Sequence, residues 1–289
     1  MAEVKAAATL MQPPLETASG GTRRWRSPGL IAGIVILGVI IILAAGAPLF
    51  TSYNPIALHA DQGLLPPSSH HLLGTDELGR DVWARLLYGA RIDLEVGFLA
   101  VLFPFIVGTV IGCLAGYFGG WIDALAMRAV DVILAFPFLV LVIAIVFVIG
   151  PGTRSIYIAM TVTDWVSYTW IIRGEILTVK RHEYILAARA LGYSRKRIIA
   201  KHLLPNVITQ AIVYSMSDIV FTILTIVTLG YLGLGVPPPT PEWGSMLADG
   251  QGFITTNWQL ATIPGVAVVI TGIGLSLLGD GLADLLRPE

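Results

Sequence analysis

The sequence predicts an all-α polytopic membrane protein with six transmembrane helices. Of its 289 residues, 55% are hydrophobic and only 13% are charged, and the mean hydropathy is +0.77. Soluble domains carry roughly twice that charge fraction. Apolar runs of about 20 residues, the length that crosses a hydrocarbon core of about 30 Å, recur along the chain. The net charge of −1 conceals an uneven distribution, because cations concentrate near the N-terminus and in one loop.

The first apolar run is expected to be a retained transmembrane helix. Residues 1–28 form a cytoplasmic tail in which Arg23, Arg24 and Arg26 precede the run at 29–50. A secretory signal peptide is the alternative, but its apolar region has about 7–15 residues, which is shorter than this run. The positive-inside rule then places the N-terminus in the cytoplasm.

The next stretch, residues 51–92, is expected to be an extracytoplasmic segment with an interfacial helix. Four large side chains of that helix would rest on the bilayer surface, namely Trp83, Leu86, Leu87 and Tyr88. Charged side chains of both signs would be solvated around them, namely Asp76, Arg80, Asp81 and Arg85.

Residues 93–289 are expected to form a core of five further helices. Their spans are predicted at about 94–117, within 116–149, at 156–179, at 207–236 and around 265–278. In the third span Arg128 would neutralise Asp123 and Asp131, which lie close to it in sequence. The run Pro237–Pro239 ends the fifth span, because proline cannot continue a helix. The single cysteine, Cys113, excludes an intrachain disulfide.

The loop at 180–206 is the most basic part of the chain, with seven Lys or Arg residues against one acid, Glu183. A solvated loop that obeys the positive-inside rule is the simplest interpretation. The pattern goes further, because Tyr184, Ala187, Ala188 and Leu191 fall on one face of a short helix. Gly192 would end this helix, Ser194 would cap a second one, and Pro205 would close the unit.

The residues Ala187-Ala188, Gly192 and Leu204-Pro205 resemble the EAA motif of ABC importer permeases. The resemblance implies that this cytoplasmic helix docks on an ATPase subunit, with Glu183, Tyr184 and the motif residues as coupling residues. Leu186 occupies the glutamate position of the motif, and the only acid nearby is Glu183. A role that depends on a glutamate at that position is therefore not carried over.

Four other strings are similar to the dipeptide/oligopeptide/nickel permease family of ABC importers. They lie at 74–81, at 116–138, at 229–250 and at the closing Gly-Asp-Gly, so the resemblance covers about 71–289. It implies a type I ABC importer permease fold in a bacterial or archaeal cell (inner) membrane, with both termini cytoplasmic. Such a subunit forms half of the pathway for peptides or a similar small polar solute. The implied partners are a second homologous permease, two ATPase subunits or one two-domain ATPase, an extracytoplasmic solute-binding protein and membrane lipid.

The chain carries no recognisable catalytic or cofactor motif of its own. It contains no GxxxxGK[ST] sequence, and none of its four lysines follows a glycine. ATP and Mg²⁺ would therefore be bound by partner ATPase subunits. The histidines show no metal-ligand spacing, and no nucleophile motif such as Gly-x-Ser-x-Gly is present. The basic loop lacks a base-reading module, so nucleic acid is not implied.

Two acids, Asp164 and Asp218, fall inside predicted spans and should face protein or water rather than lipid. Lining of the solute pathway is one interpretation. Hydrogen bonding to the nearby Thr161, Thr163, Ser215 or Ser217 is the other. The alternative function is a proton-coupled carrier that uses one of these acids as its proton site. A membrane enzyme is a third class, which the missing catalytic motifs disfavour. The solute, among dipeptides, oligopeptides, glutathione and nickel, stays open.

Overall fold

The computed structural model describes residues 28–286, and the described chain is helical between its loops. The helices are α1 (Pro28–Ala45), α2 (Ala47–Phe50), α3 (Val82–Phe118), α4 (Gly120–Leu134), α5 (Phe138–Ile149), α6 (Thr153–Val179), α7 (Glu183–Ala190), α8 (Arg195–Ile198), α9 (Leu204–Tyr231), α10 (Trp243–Gln251) and α11 (Gln259–Leu286). A 3₁₀ turn covers Ala60–Gln62, and a π-helical segment covers Ile199–Leu203. The all-α class is confirmed for these residues. The predicted tail at 1–28 lies outside them, except for Pro28.

The helices α3 and α6 pack along each other through a row of glycines at every fourth position of α3. An ideal β-carbon on Gly108 would lie 2.4 Å from the carbonyl oxygen of Trp165, and one on Gly112 would lie 2.8 Å from that of Thr169. Gly116 continues the row. Small residues at this spacing let two helix backbones approach closely within a membrane. The Oγ1 of Thr169 uses this proximity to donate a hydrogen bond to the carbonyl of Gly108 at 3.2 Å.

The predicted third span is a bent pair of helices instead of one straight helix. α4 and α5 meet at an angle of 86°. Pro137 lies at the break and precedes the first residue of α5. Proline has no N–H to donate and disfavours helical geometry at the residue before it, which explains the bend.

Four helices among residues 28–286 are long and apolar enough to cross a membrane, and the bent pair raises this number to five. α6 is 27 residues long but more polar than these. Its surroundings explain the difference, because α6 packs against α3, α5 and α9 and buries side chains such as Tyr168 and Ile172 completely. The number of six spans therefore stays a prediction that depends on counting α6.

The first span packs on the last. A β-carbon on Gly33 of α1 would lie 2.6 Å from the backbone nitrogen of Leu278 in α11. Gly281 of α11 approaches the side chain of Leu30 equally closely. The first and last helices of the described chain are thus neighbours, and α11 joins them to α9 and α10.

The segment at 51–92 differs from the expected interfacial helix, because residues 82–92 form the first turns of α3. Asp81 is the reason, since its carboxylate accepts a hydrogen bond from the N–H of Ala84 at 2.7 Å and caps the long helix. Leu87, expected on the bilayer surface, is 3% exposed within the protein.

The charged side chains of this segment are buried, whereas the sequence predicts that they are solvated. Asp76 accepts a hydrogen bond from Arg80 Nε at 2.6 Å and is also paired with Arg85. Asp249 of α10 accepts hydrogen bonds from both arginines, at 3.1 and 3.2 Å. Buried charges are tolerated when each has a partner. This ion cluster fastens the segment before α3 to α10.

Two carboxyl groups hold the start of α10. Glu242 is fully buried and accepts hydrogen bonds from the N–H groups of Gly244 at 2.6 Å and Ser245 at 2.9 Å. Asp93 of α3 accepts one from the N–H of Trp243 at 3.0 Å. Burial raises the pKa of the Glu242 carboxyl, and the two amide donors oppose that shift. The helix N-terminus is thereby tied to α3.

We expect Gly108→Ala to destabilise the protein, because its methyl group would collide with the backbone of α6. Overpacking of this kind costs about 1–3 kcal/mol. Thermal unfolding of the detergent-purified complex measures the effect. Gly174→Ala on α6 is the matched control, since a β-carbon there would meet nothing within 4 Å. Equal melting temperatures for the two variants would contradict the packing described above.

Candidate functional site

The basic loop folds into two short helices that follow α6. α7 ends at Ala190, and Gly192, which has φ 76°, stops the helix just beyond this end as the sequence predicts. The N–H of Tyr193 donates a hydrogen bond to the carbonyl of Ala188 at 3.1 Å, as in a Schellman motif. Ser194 caps α8 by accepting a hydrogen bond from the N–H of Arg197 at 3.4 Å.

One face of α7 contacts the protein and the other is open. Ile185 and Ala188 are 0% and 6% exposed and pack into the main apolar core. Tyr184 and Leu191 are 44% and 73% exposed, and Ala187 is also exposed. The sequence predicts Ala188 on the same face as Tyr184, Ala187 and Leu191. In the structure Ala188 instead lies on the buried side of the helix. Since Ile185 and Ala188 are three residues apart, they share the inner side of the helix.

Pro205 does not close the unit, in contrast to the prediction. It follows Leu204 at the start of α9, directly after the π-helical segment Ile199–Leu203. The π-helical segment Ile199–Leu203 joins α8 to α9 without a break, so that a helix runs from Arg195 to Tyr231. The loop is thus continuous with the fifth predicted span.

Aromatic and backbone contacts anchor the loop to the end of α3. Lys180 Nζ donates a hydrogen bond to the carbonyl of Gly116 at 2.8 Å. Burial is the main cause that lowers the pKa of this ammonium group. The guanidinium groups of Arg189 and Arg195 lie over the rings of Tyr117 and Phe118, at 5.4 and 5.9 Å from the ring centroids.

An ion pair between α4 and α6 lies near the same end of the protein. Arg173 donates two hydrogen bonds to Asp123, at 2.5 and 2.7 Å. The sequence instead suggests Arg128 as the partner of Asp123. Arg128 reaches Asp131 alone, at 3.8 Å, and both of these side chains are exposed. Arg173 is far from Asp123 in sequence, so no local pattern indicates the pair.

The two acids inside predicted spans face one cavity, of about 250 Å³. It lies between the α4–α5 break, α6 and α9, and its walls include Phe136, Phe138, Tyr214 and Phe221. Asp164 is 7% exposed, and its Oδ2 has no hydrogen-bond partner among the described residues.

Tyr168 is the residue that the sequence analysis missed at this cavity. Its hydroxyl donates a hydrogen bond to Asp218 Oδ2 at 2.6 Å. The serine and threonine partners expected for the two acids bond elsewhere, since Thr163 donates to the carbonyl of Ala159 and Ser215 to that of Ile212. Tyr168 lies one turn after Asp164 on the same helix, which indicates a place beside that acid but not the bond to Asp218.

No group of three or more His, Cys, Asp or Glu side chains between residues 28 and 286 is arranged to hold a metal ion. The two candidate functional sites are therefore the exposed face of α7 and the acidic cavity.

Residues 108–289 match the family described as binding-protein-dependent transport system inner membrane component. The chain is 39% identical over 259 residues to the dipeptide transport system permease protein DppC of Alkalihalophilus pseudofirmus, covering 90% of this chain and 85% of that protein. It is 38% identical over 268 residues to the oligopeptide transport system permease protein OppC of Bacillus subtilis, covering 92% and 88% of the two chains.

The fold is also similar to that of a chain in the inward-facing MetNI methionine ABC transporter. The TM-score is 0.58 at 19% sequence identity, over 70% of this chain and 96% of the other. At this identity the likeness concerns the fold alone.

Loss of the Arg173 pair should destabilise the protein more than loss of the Arg128 pair. Asp123→Asn removes a partly buried bidentate partner, and hydrogen bonds to charged groups contribute about 1.5–3 kcal/mol. Asp131→Asn removes an exposed contact, for which about 0–1 kcal/mol is expected. Thermal unfolding of both variants tests this order, and the reverse order would refute the pairing.

Proposed function

Because the chain belongs to the family of binding-protein-dependent transport system inner membrane components, we propose that it is a permease subunit of an ABC importer for peptides. The two relatives described above are named for dipeptide and oligopeptide transport, which supports peptides or a similar small polar solute. In this proposal the chain forms half of the translocation pathway and a second homologous permease forms the other half. An extracytoplasmic binding protein delivers the solute.

The observation that carries this proposal is the exposed face of α7. A short helix that presents Tyr184 and Leu191 to solvent, and that ends sharply at Gly192, suits insertion into a groove of another protein. The surrounding cations favour a partner with an acidic surface. We assign that partner as the ATPase, which binds ATP and Mg²⁺, because the sequence has no phosphate-binding loop. The chain itself would then catalyse no reaction.

Movement of α7 can reach the cavity through packed side chains. Ile185 and Ala188 belong to the same apolar cluster as Tyr168 of α6 and Val207 of α9. A displacement of α7 by the ATPase would therefore move the two helices that carry Asp164 and Asp218. We propose that these acids line the pathway and that their cavity opens alternately to the two sides.

The proposed orientation has both termini and residues 180–206 in the cytoplasm, with 51–92 and 237–258 outside, in a bacterial or archaeal cell membrane. It follows from six alternating spans, α6 included, and from the basic residues of the loop.

We expect Ala187→Trp and Gly192→Val to weaken co-purification of the ATPase subunits or to separate ATP hydrolysis from transport. The first places a large ring on the exposed face, and the second puts a β-branched residue at φ 76°. Ala188→Trp is less informative than the sequence suggests, because it would disturb the packing of the loop itself. Pull-down of the ATPases and transport by the reconstituted complex are the measurements.

Gly233→Val is the matched control for this prediction. Gly233 has φ 75°, follows the end of α9, and has nothing within 4 Å of an ideal β-carbon, as Gly192 does. It should suffer the same backbone strain while leaving ATPase binding intact. Glu183→Ala should have a mild effect if docking is steric, whereas uncoupling would mean that this acid replaces the glutamate absent at Leu186. Full ATP-driven transport by both test variants would disprove the docking role.

The orientation is tested by cysteine labelling in intact cells, in a Cys113→Ser background. A cysteine at Ser68 should react with a membrane-impermeant maleimide, whereas one at Ser194 should react only after the cells are opened. Both positions are exposed, so a lack of reaction is not due to burial. Labelling of Ser194→Cys alone in intact cells would invert the proposed topology.

A further inference from the structure

The cavity at α6 and α9 contains a buried carboxyl group without a partner. Asp164 is 7% exposed, and no residue between 28 and 286 donates a hydrogen bond to its Oδ2. A lone charge in a low-dielectric site is strongly disfavoured. An ionised Asp164 therefore requires a cation, because without one the carboxyl group would take up a proton instead.

The basic residues of α6 are too distant to serve. Arg154 lies ten residues before Asp164 and Arg173 nine residues after it. These separations correspond to about 15 Å and 14 Å along the axis at 1.5 Å per residue. Arg173 is in addition paired with Asp123. The residues that line the cavity also include no Lys, Arg or His, so none of them supplies a cation to Asp164.

Asp218 has a different place in the cavity. One of its oxygens is occupied by the hydroxyl of Tyr168, which fixes the carboxyl group at the wall formed by α9. It adds negative charge beside Asp164 without competing for the same donors. Asp164 thus offers a free oxygen to the N–H groups of a ligand, whereas one oxygen of Asp218 is already bonded.

The remaining walls suit the same kind of ligand. Phe138 and Phe221 have ring centroids 5.0 Å apart, and Tyr214 and Phe136 also line the cavity. Aromatic faces attract cations, and the attraction grows where water is excluded. Two carboxyl groups would repel an anion, so the lining selects for a positively charged amine.

We propose that this cavity binds the ammonium group of the transported solute, with Asp164 as its main ligand and Asp218 as the second. This inference rests on the proposed function, since a peptide with a free N-terminus carries such a group. The cavity then recognises a feature common to peptides of any side-chain composition, while the aromatic walls accommodate apolar parts of the solute.

Binding is tested on the assembled complex in nanodiscs without the binding protein. Dialanine should raise the unfolding temperature of the wild-type complex, and N-acetyl-dialanine, which has no ammonium group, should not at the same concentration. Asp164→Asn should weaken the response to dialanine at least about tenfold in concentration, as expected for loss of a charge-assisted bond. Asp280→Asn, which changes an exposed carboxyl group of α11, should behave as wild type. Equal responses to the two dipeptides, or none to either, overturn the inference.

A transport assay distinguishes failure of this inference from failure of the proposed function. Proteoliposomes with the ATPases, the partner permease and the binding protein are supplied with ATP and alanine peptides of two to five residues. Uptake by wild type that is lost in Asp164→Asn and retained in Asp280→Asn supports both. Uptake that is equal in wild type and Asp164→Asn overturns the ammonium site alone. If no peptide enters with wild type, the peptide function fails as well. Uptake that is driven by a pH gradient without ATP and lost in Asp164→Asn would identify Asp164 as a proton site and overturn the ammonium site. If Asp164→Asn does not assemble, the inference is tested with Asp164→Glu and with the responses of the wild-type complex to the two dipeptides.

Discussion

The close approach of α3 and α6 is the constraint on which the rest of the structure depends. Gly108 and Gly112 bring the two backbones into contact, and this contact fixes which side of α6 faces α3. The opposite side is then directed at α5 and α9, which is where Tyr168 meets Asp218. Lys180 closes the same interface at its end by bonding to the carbonyl of Gly116. The hydrophobic effect does not drive helices together within a membrane. Close backbone packing and interhelical hydrogen bonds must therefore drive their association.

Charged side chains lie at three places in this structure. These places differ in whether the charges are paired. At the start of α3, Asp76 and Asp249 pair with Arg80 and Arg85, and these ion pairs fasten the segment before α3 to α10. At the loop end, Arg173 and Asp123 form a closed pair. Between them Asp164 has no partner. The contrast separates paired groups that hold the fold from an unpaired carboxyl group, which is the main ligand in the ammonium site proposed above.

Local features of the sequence predict local features of the fold. Gly192 ends a helix and Ser194 caps one because backbone conformation and capping depend on residues that are neighbours in sequence. Partners that come from distant positions, such as Tyr168 for Asp218 and Asp249 for Arg80, leave no such trace. The structural effect of a proline is predictable from the sequence only in part. Pro137 lies at the break between α4 and α5, whereas the helix that contains Pro205 continues past it, so the residue type alone does not predict the outcome.

The continuous helix from Arg195 to Tyr231 has a mechanical consequence. Its 37 residues extend about 55 Å, well beyond a hydrocarbon core of about 30 Å. One end belongs to the basic loop, and the other brings Gly230 against Glu242 at the start of α10. A rod of this kind cannot tilt at one membrane surface without displacing its far end at the other. A displacement of the basic loop would therefore be transmitted along this helix to the contact between Gly230 and Glu242.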